Sequence, residues 1–173
     1  LKPFLTFLNL SINITLKEFY DITKKDFYIY VCEVNSMKLE ILHHSTHPDI
    51  TIVNAVSMSC ALPVIFKPIL YNKKYYLDGG ILNNYPLDVM IKNHNTDLDS
   101  IMGIRFDRED YNLTTELSED ITTFSLVSHI IYKSWLRVNH EKEQTKIKHE
   151  IILNYPESLR SDPYENIFNL LKD

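Results

Sequence analysis

Residues 53–86 read VNAVSMSCALPVIFKPILYNKKYYLDGGILNNYP, and this stretch decides the predicted fold more than any other part of the chain. Its first half is rich in small and apolar residues, which favours a short helix packed closely on its neighbours. The helix can begin at Pro48-Asp49, because proline is favoured in the first helical turn. It must end before Pro63, because a proline disfavours helical backbone at the residue before it.

The second half of the stretch predicts a β-hairpin. Residues 66–71 and 74–77 are rich in isoleucine, leucine and aromatic side chains, and they flank Asn72-Lys73, a pair suited to a tight turn. The second run leads directly into Asp78-Gly79-Gly80. Functional side chains of α/β proteins gather at the ends of strands, so Asp78 is the first candidate for a site residue.

Strands alternate with helices along the rest of the chain, which predicts the α/β class with a central sheet flanked by helices. Thr15 and Glu18 have the spacing of a capping box and predict a helix over Leu16–Thr23. The other predicted elements are a helix within residues 1–10, strands at 27–34 and 37–42 joined by Asn35-Ser36, a strand at 100–106, a helix over 121–138 capped by Ser118-Glu119-Asp120, a strand at 150–153, and a helix beginning in 164–171.

Composition limits the function classes. The chain has 173 residues, of which 45% are hydrophobic and 24% charged, as expected of a folded domain. A net charge of −5 offers no basic face for phosphates, so we expect no nucleic-acid partner. No apolar run approaches the ~20 residues that span a bilayer, and no signal peptide is recognisable, so we expect a cytoplasmic location with contact at membrane surfaces at most.

The quoted stretch resembles the closing signature of the patatin-like phospholipase family. The matching elements are Ser59-Cys60-Ala61-Leu62-Pro63, Phe66, Pro68, Tyr76-Leu77-Asp78-Gly79-Gly80 and Asn83-Asn84-Tyr85-Pro86. The resemblance implies part of a three-layer α/β/α fold. It further implies that residues 1–173 are the C-terminal portion of one patatin-like domain, in which 112–173 form a helical extension.

The resemblance also implies a Ser-Asp dyad that cleaves acyl esters of phospholipids or related lipids, without cofactor or metal. Asp78 matches the aspartate that deprotonates the serine. A carboxylate is a weak base at neutral pH, so it needs a desolvated position and a short contact to the hydroxyl. Gly79 and Gly80 would permit a tight turn, for which a positive φ is one option, and so let another backbone approach the carboxylate closely. Asn83 and Asn84 would support that turn through side-chain hydrogen bonds to the backbone.

The nucleophile is not recognisable in this chain. In the family it occupies a Gly-x-Ser-x-Gly elbow, and a glycine-rich loop supplies the oxyanion donors. The chain has three glycines, at 79, 80 and 103, and Gly103 has no serine two residues away. We therefore expect the elbow and the loop to precede Leu1, and this chain alone to be inactive. Ser57 and Ser59 are interpreted as packing and backbone-bonding residues.

Two further features have a functional and a structural interpretation. His43 and His47 have the His-x-x-x-His spacing of metal ligands but lack the intervening glutamate, so we interpret their segment as a solvated loop. The apolar stripe of residues 121–138, which includes Trp135, is interpreted as the buried side of a core helix rather than a lipid-facing surface.

Several functions remain compatible with the sequence. The first is a lipid acyl hydrolase of the phospholipase or lysophospholipase type, and an acyltransferase would use the same dyad. The second is a non-catalytic lipid-binding or interaction protein that keeps the scaffold without the nucleophile. The third is an unrelated α/β domain in which Asp-Gly-Gly is only a turn.

Overall fold

The computed structural model describes residues 2–94, 97–106, 121–140 and 145–154, together with Leu117 and Glu119. These residues divide into two compact units, 1–84 and 85–173. The first unit contains, in order, α1 (Lys2–Phe7), α2 (Leu16–Thr23), β1 (Ile29–Glu33), β2 (Lys38–Leu42), α3 (Ile52–Ser59), β3 (Ile69–Tyr71), β4 (Lys74–Asp78) and α4 (Gly80–Asn83). The α/β class predicted from the sequence is confirmed.

Helix α2 has the boundaries and the cap predicted from the sequence. The Thr15 hydroxyl accepts a hydrogen bond from the Glu18 amide at 3.2 Å, and the Thr15 amide donates to the Glu18 carboxylate at 2.9 Å. These two bonds satisfy donors that the first turn of a helix would otherwise leave unpaired. Lys24 ends the helix in the left-handed conformation, and its amide bonds to the Tyr20 carbonyl.

The first unit is built on a four-stranded antiparallel sheet with the strand order β2-β1-β4-β3. The β3–β4 hairpin turns at Asn72-Lys73, where both residues have positive φ, at 47° and 65°. That is the geometry of a two-residue turn whose twist matches the flanking strands. In the register of β1 and β4, Asp78 lies opposite Val31.

One hydrophobic core holds the first unit together. It combines side chains from one side of the sheet with the buried side of α3 and the residues around α1 and α2, namely Leu5, Ile14, Leu16, Ile29, Val31, Leu42, Ile50, Ile52, Ala55, Met58 and Tyr76. Ala55 is fully buried, so a small side chain in α3 lets the helix pack close to the sheet. This packing fixes the end of α3 beside the ends of β1 and β4.

The second unit contains α5 (Leu87–His94), a 3-10 turn (Leu98–Ser100), β5 (Met102–Phe106), α6 (Thr123–His140) and β6 (His149–Leu153). Strands β5 and β6 pair in parallel, with Gly103 opposite Glu150. A Cβ on Gly103 would lie 1.8 Å from the Tyr85 hydroxyl, so glycine makes room for the bond that Tyr85 donates to Glu150. Within the described ranges, no helix is both long enough and apolar enough to cross a membrane.

The structure corrects the interpretation of the long helix. Phe124 is 56% exposed and Val127 47% exposed, whereas the buried positions are Ser128, Tyr132 and Leu136. Ser128 can be buried because its hydroxyl donates to the Phe124 carbonyl at 2.9 Å, which satisfies its polar atom within the helix. The pattern of hydrophobic residues could not identify this row of buried side chains, because one of its members is a serine.

Several predicted boundaries were wrong, among them those of α3, β3 and α6. Pro48-Asp49 form a turn, and α3 begins after Thr51, whose hydroxyl accepts from the Asn54 amide and provides the N-cap. Phe66 lies in the loop before β3 rather than in the strand. Helix α6 begins at Thr123, with Thr122 as the capping side chain. Ser118, Asp120 and residues 155–173, which include the predicted final helix, lie outside the described residues.

Candidate active site

Asp78 is the last residue of β4, and backbone contacts on both sides hold it in place. Its amide donates to the Ala61 carbonyl at 3.0 Å, which ties the strand end to the loop that follows α3. Its carboxylate oxygen Oδ1 accepts from the Gly80 amide at 2.7 Å. The second contact orients the carboxylate at the start of α4. The backbone of Asp78 is therefore held by the loop after α3, and its side chain by the Gly80 amide.

At Gly79 the backbones of two segments approach each other closely. The sequence predicted that a second backbone comes near this turn, and the structure shows which one it is. A Cβ at this position would lie 2.5 Å from the Tyr30 carbonyl oxygen and 2.6 Å from its carbon. No rotation of a side chain relieves such a contact, because both atoms belong to the backbone of β1. The turn does not use the positive φ that glycine permits: Gly79 has φ −63°, and none of the three glycines has positive φ.

Ser59, the serine of the Ser-x-Ala-x-Pro stretch, connects the end of helix α3 to strand β1. Its hydroxyl donates to the same Tyr30 carbonyl at 2.8 Å and so attaches the last turn of α3 to β1. Two residues later, the Ala61 carbonyl receives the Asp78 amide. This short segment thus links β1 to β4, and the interpretation of Ser59 as a backbone-bonding residue is confirmed. Ser57 is exposed on the same helix.

Gly80 and Asn84 surround the carboxylate on its other side. A Cβ on Gly80 would lie 2.8 Å from Asn84 Oδ1 and 3.0 Å from Asp78 Oδ1. At position 80 a glycine is suited because two side-chain oxygens occupy the space that a Cβ would need. Asn83 closes the single turn of α4, where its amide bonds to the Gly79 carbonyl. The assignment of Asn83 and Asn84 to the support of this turn remains a prediction.

The surroundings change the acidity of Asp78 in the direction that a general base needs. Burial raises the pKa of its carboxyl, and the Gly80 amide opposes that rise by stabilising the charged form. Desolvation dominates, so the carboxylate holds a proton more readily than a solvated aspartate. This is the electrostatic character expected of a carboxylate that removes a proton from a hydroxyl.

Two site neighbours were not recognised from the sequence, Tyr30 and Cys60. Tyr30 acts through its carbonyl, and no sequence pattern identifies a backbone atom. Cys60 is exposed at the C-terminal end of α3, next to the loop that holds Asp78. Although Cys60 is exposed, partial desolvation by its neighbours and the charge of Asp78 raise the pKa of its thiol, so it is not activated as a nucleophile.

The histidine segment differs from the predicted solvated loop. His43 is buried, with 8% of its surface exposed. Its Nε2 lies 3.0 Å from Asp26 Oδ1, and the Nε2 of His44 lies 3.1 Å from the same oxygen. His47 instead faces Glu40 at 3.3 Å. The structure therefore groups His43 with His44 and Asp26, and not with His47.

Comparison with known proteins finds one family and two viral relatives. A model of the patatin-like phospholipase family matches residues 1–91, which is 91 of 173 residues and more than half of the chain. A probable lipid hydrolase, 463L of Invertebrate iridescent virus 6, is 40% identical over 86 residues, covering 50% of this chain and 30% of that protein. Uncharacterized protein R571 of Acanthamoeba polyphaga mimivirus is 32% identical over 98 residues, covering 54% of this chain and 32% of its own length.

The chain thus spans about a third of the length of the curated relatives that it matches. The matched residues include β1, α3 and β4, together with the residues described above that contact Asp78. The chain belongs to the patatin-like phospholipase family.

Proposed function

We propose that the complete protein hydrolyses acyl esters of phospholipids or related lipids through a Ser-Asp dyad, with Asp78 as its base. The observation that supports this most strongly is the fixed, partly buried carboxylate at the end of β4, whose pKa is raised by burial. A carboxylate that only closed a surface turn would need neither the desolvation nor the close backbone contacts at Gly79.

The chemistry follows from this placement. Asp78 accepts the proton of the serine hydroxyl as the serine oxygen attacks the ester carbonyl. The tetrahedral intermediate collapses, the bond to the alcohol breaks, and the alcohol leaves with the proton from Asp78. Water then attacks the acyl-serine while Asp78 removes its proton, and collapse of the second intermediate releases the fatty acid and restores the serine.

The serine belongs, on this proposal, to a part of the protein outside these 173 residues. Three glycines cannot supply both a Gly-x-Ser-x-Gly elbow and a glycine-rich oxyanion loop. Ser59 is already bonded to the Tyr30 carbonyl, which removes it as a nucleophile. The 173-residue chain is therefore the aspartate-bearing portion of one catalytic domain, inactive by itself, with residues 112–173 as its C-terminal extension.

The proposed lipid substrates indicate which molecules and surfaces the complete protein contacts. An acyl lipid is presented at a membrane surface, so the complete protein makes transient contact with membranes from the cytoplasm. The proposed dyad supplies base and nucleophile from side chains, so the reaction requires no cofactor. The acidic overall charge favours neither nucleic acid nor attachment to anionic lipids by charge alone.

The decisive experiment compares Asp78→Asn with Asp49→Asn in the complete protein. Asp49 is an exposed aspartate of the same unit, outside the site, and serves as the matched control. We expect Asp78→Asn to lower lipid ester hydrolysis at least ~10²-fold, as for loss of a general base, with unchanged circular dichroism. Asp49→Asn should retain full activity.

Two results would reject the proposal. Retained hydrolysis in folded Asp78→Asn would show that the carboxylate is not the base. Absence of both hydrolysis and labelling by a fluorophosphonate in the wild-type protein would favour the non-catalytic, lipid-binding alternative. If the acyl group passes to an added lysolipid more readily than to water, the dyad stands and the reaction is acyl transfer.

A further inference from the structure

A second cluster of chemically active side chains lies at the end of the sheet where β1 begins and β2 ends. Asp26 precedes β1 by a short loop, and His43-His44 directly follow β2. The antiparallel register places Ile29 opposite Leu42, which brings these two segments side by side. Residues distant in sequence are therefore held together by the hairpin, and none of them belongs to the proposed dyad.

The three side chains converge on a small volume. The Nε2 atoms of His43 and His44 lie 3.0 Å and 3.1 Å from Asp26 Oδ1, and all three ligand atoms lie within 4.8 Å of one another. Around a tetrahedral ion with bonds of about 2.0–2.2 Å, ligand atoms are separated by roughly 3.3–3.6 Å. The observed spacing therefore admits an ion after small adjustments of the side chains.

The two rings are already oriented by their neighbours. Tyr28 stacks on His43 with ring centroids 4.2 Å apart, and Tyr20 stacks on His44 at 3.8 Å. The other nitrogen of His43, Nδ1, lies 2.8 Å from the Ser45 hydroxyl. The Ser45 amide also lies 3.4 Å from this nitrogen. With Nε2 bound to a metal, Nδ1 would carry the proton and donate a hydrogen bond to the Ser45 hydroxyl, which is the usual support of a metal-bound histidine.

The cluster is also accessible to an ion. The Asp26 side chain is 52% exposed, whereas those of His43 and His44 are only 11% and 18% exposed. An ion can thus enter from the carboxylate side, and water can complete its coordination.

We propose that Asp26, His43 and His44 form a binding site for a divalent transition-metal ion, for which Zn²⁺ is the best match. Two imidazoles and one carboxylate favour Zn²⁺ over Mg²⁺ or Ca²⁺, which prefer oxygen ligands throughout. Three protein ligands leave a fourth position for water. The ion would link the loop before β1 to the loop after β2 and stabilise that end of the sheet.

The test measures metal binding to the full protein after dialysis against a chelator. Titration with Co²⁺ should produce visible absorption bands that saturate at one ion per chain, and added Zn²⁺ should abolish them. Zn²⁺ should also raise the melting temperature, because a ligand that binds only the folded state stabilises it. These readouts do not depend on hydrolysis, so failure of the proposed dyad leaves them unaffected.

Three variants separate this site from non-specific binding. Asp26→Asn and His44→Gln should weaken Zn²⁺ binding at least ~100-fold, beyond the effect usual for the loss of a supporting hydrogen bond. His47→Gln removes a nearby histidine that faces Glu40 instead, and it should bind like the wild type. Wild-type binding by folded Asp26→Asn and His44→Gln, or no stoichiometric binding by the wild type, would reduce the cluster to a hydrogen-bonded network.

Discussion

At the scale of single residues, the two glycines that follow Asp78 make room for different groups. Gly79 lies against the backbone of β1, whereas Gly80 lies against the side chains of Asp78 and Asn84. The distinction matters because a backbone cannot move aside without disturbing the sheet, while a side chain can rotate. Identical substitutions at adjacent positions should therefore have different effects.

Gly79→Ala should mainly reduce stability and Gly80→Ala should mainly reduce activity. We expect Gly79→Ala to lower the free energy of unfolding by about 2–3 kcal/mol, because its Cβ overlaps the Tyr30 carbonyl. Gly80→Ala should cost about 1 kcal/mol or less but displace the Asp78 carboxylate and lower kcat more than ~10-fold. Urea unfolding and lipid hydrolysis by the complete protein measure both, and equal effects of the two variants on stability would contradict this division.

At the scale of elements, the end of α3 connects β1 to β4. The Ser59 hydroxyl bonds to β1 and the Ala61 carbonyl bonds to β4, so the last turn of the helix and the residues after it maintain the spacing of two strands. The position of Asp78 is thus set partly by a helix that contributes no catalytic group. Loss of either bond should move the carboxylate as well as weaken the fold.

Ser59→Ala tests this connection, and Ser57→Ala is its control. Removal of the Ser59 hydroxyl leaves the Tyr30 carbonyl without this donor, which should lower the free energy of unfolding by about 1–2 kcal/mol. Ser57 is exposed on the same helix, and its substitution should change stability by less than ~0.5 kcal/mol. Chemical denaturation of both variants provides the comparison. Equal stability of the two would show that the bond to β1 contributes nothing measurable.

The elements that the sequence predicted well are those specified by neighbouring residues. The capping box of α2 and the Asn72-Lys73 turn each depend on residues at most three apart, and both are confirmed. The start of α3 was misplaced because Pro48-Asp49 and Thr51 both carry helix-start signals, and only packing selects between them. The buried row of α6 was missed because Ser128 satisfies its own hydroxyl within the helix.

At the scale of the whole molecule, contacts in both candidate sites join residues that are far apart in the sequence, so no local sequence pattern predicts them. Ser59 and Tyr30 are 29 residues apart, and His44 and Asp26 are 18 apart. Asp78 could be proposed as a site residue from the sequence because its surrounding motif is contiguous. The Tyr30 carbonyl beside Gly79, and the aspartate that pairs with two histidines, emerge only once the strands are in register.

The raised pKa of Asp78 predicts opposite dependences of activity and stability on pH. If Asp78 is the base, as proposed, it must be ionised, so kcat/KM of the complete protein should rise with pH through an apparent pKa above the ordinary value of 3.8. The folded state binds the proton more tightly than the unfolded state, so the group destabilises the fold as pH rises from the unfolded pKa through the folded pKa.

Asp78→Asn isolates the contribution of this group to stability. The amide oxygen can still accept from the Gly80 amide, but no charge is buried. The variant should therefore be more stable than the wild type at neutral pH, and this advantage should disappear below the unfolded pKa of about 3.9. Denaturation midpoints across the pH range provide the measurement. A variant less stable than the wild type at pH 7 would contradict the assignment of desolvation as the dominant cause.

The contacts that the Tyr30 carbonyl makes with Ser59 and Gly79 also bear on which substitutions this region tolerates. A carbonyl is present whatever amino acid occupies position 30, whereas the contact at Ser59 needs a side-chain hydroxyl and the contact at Gly79 needs the absence of a Cβ. The Tyr30 hydroxyl has no hydrogen-bond partner among the described residues, so phenylalanine would fit there equally well. A contact beside the candidate site thus depends on the backbone at position 30 and not on the side chain there.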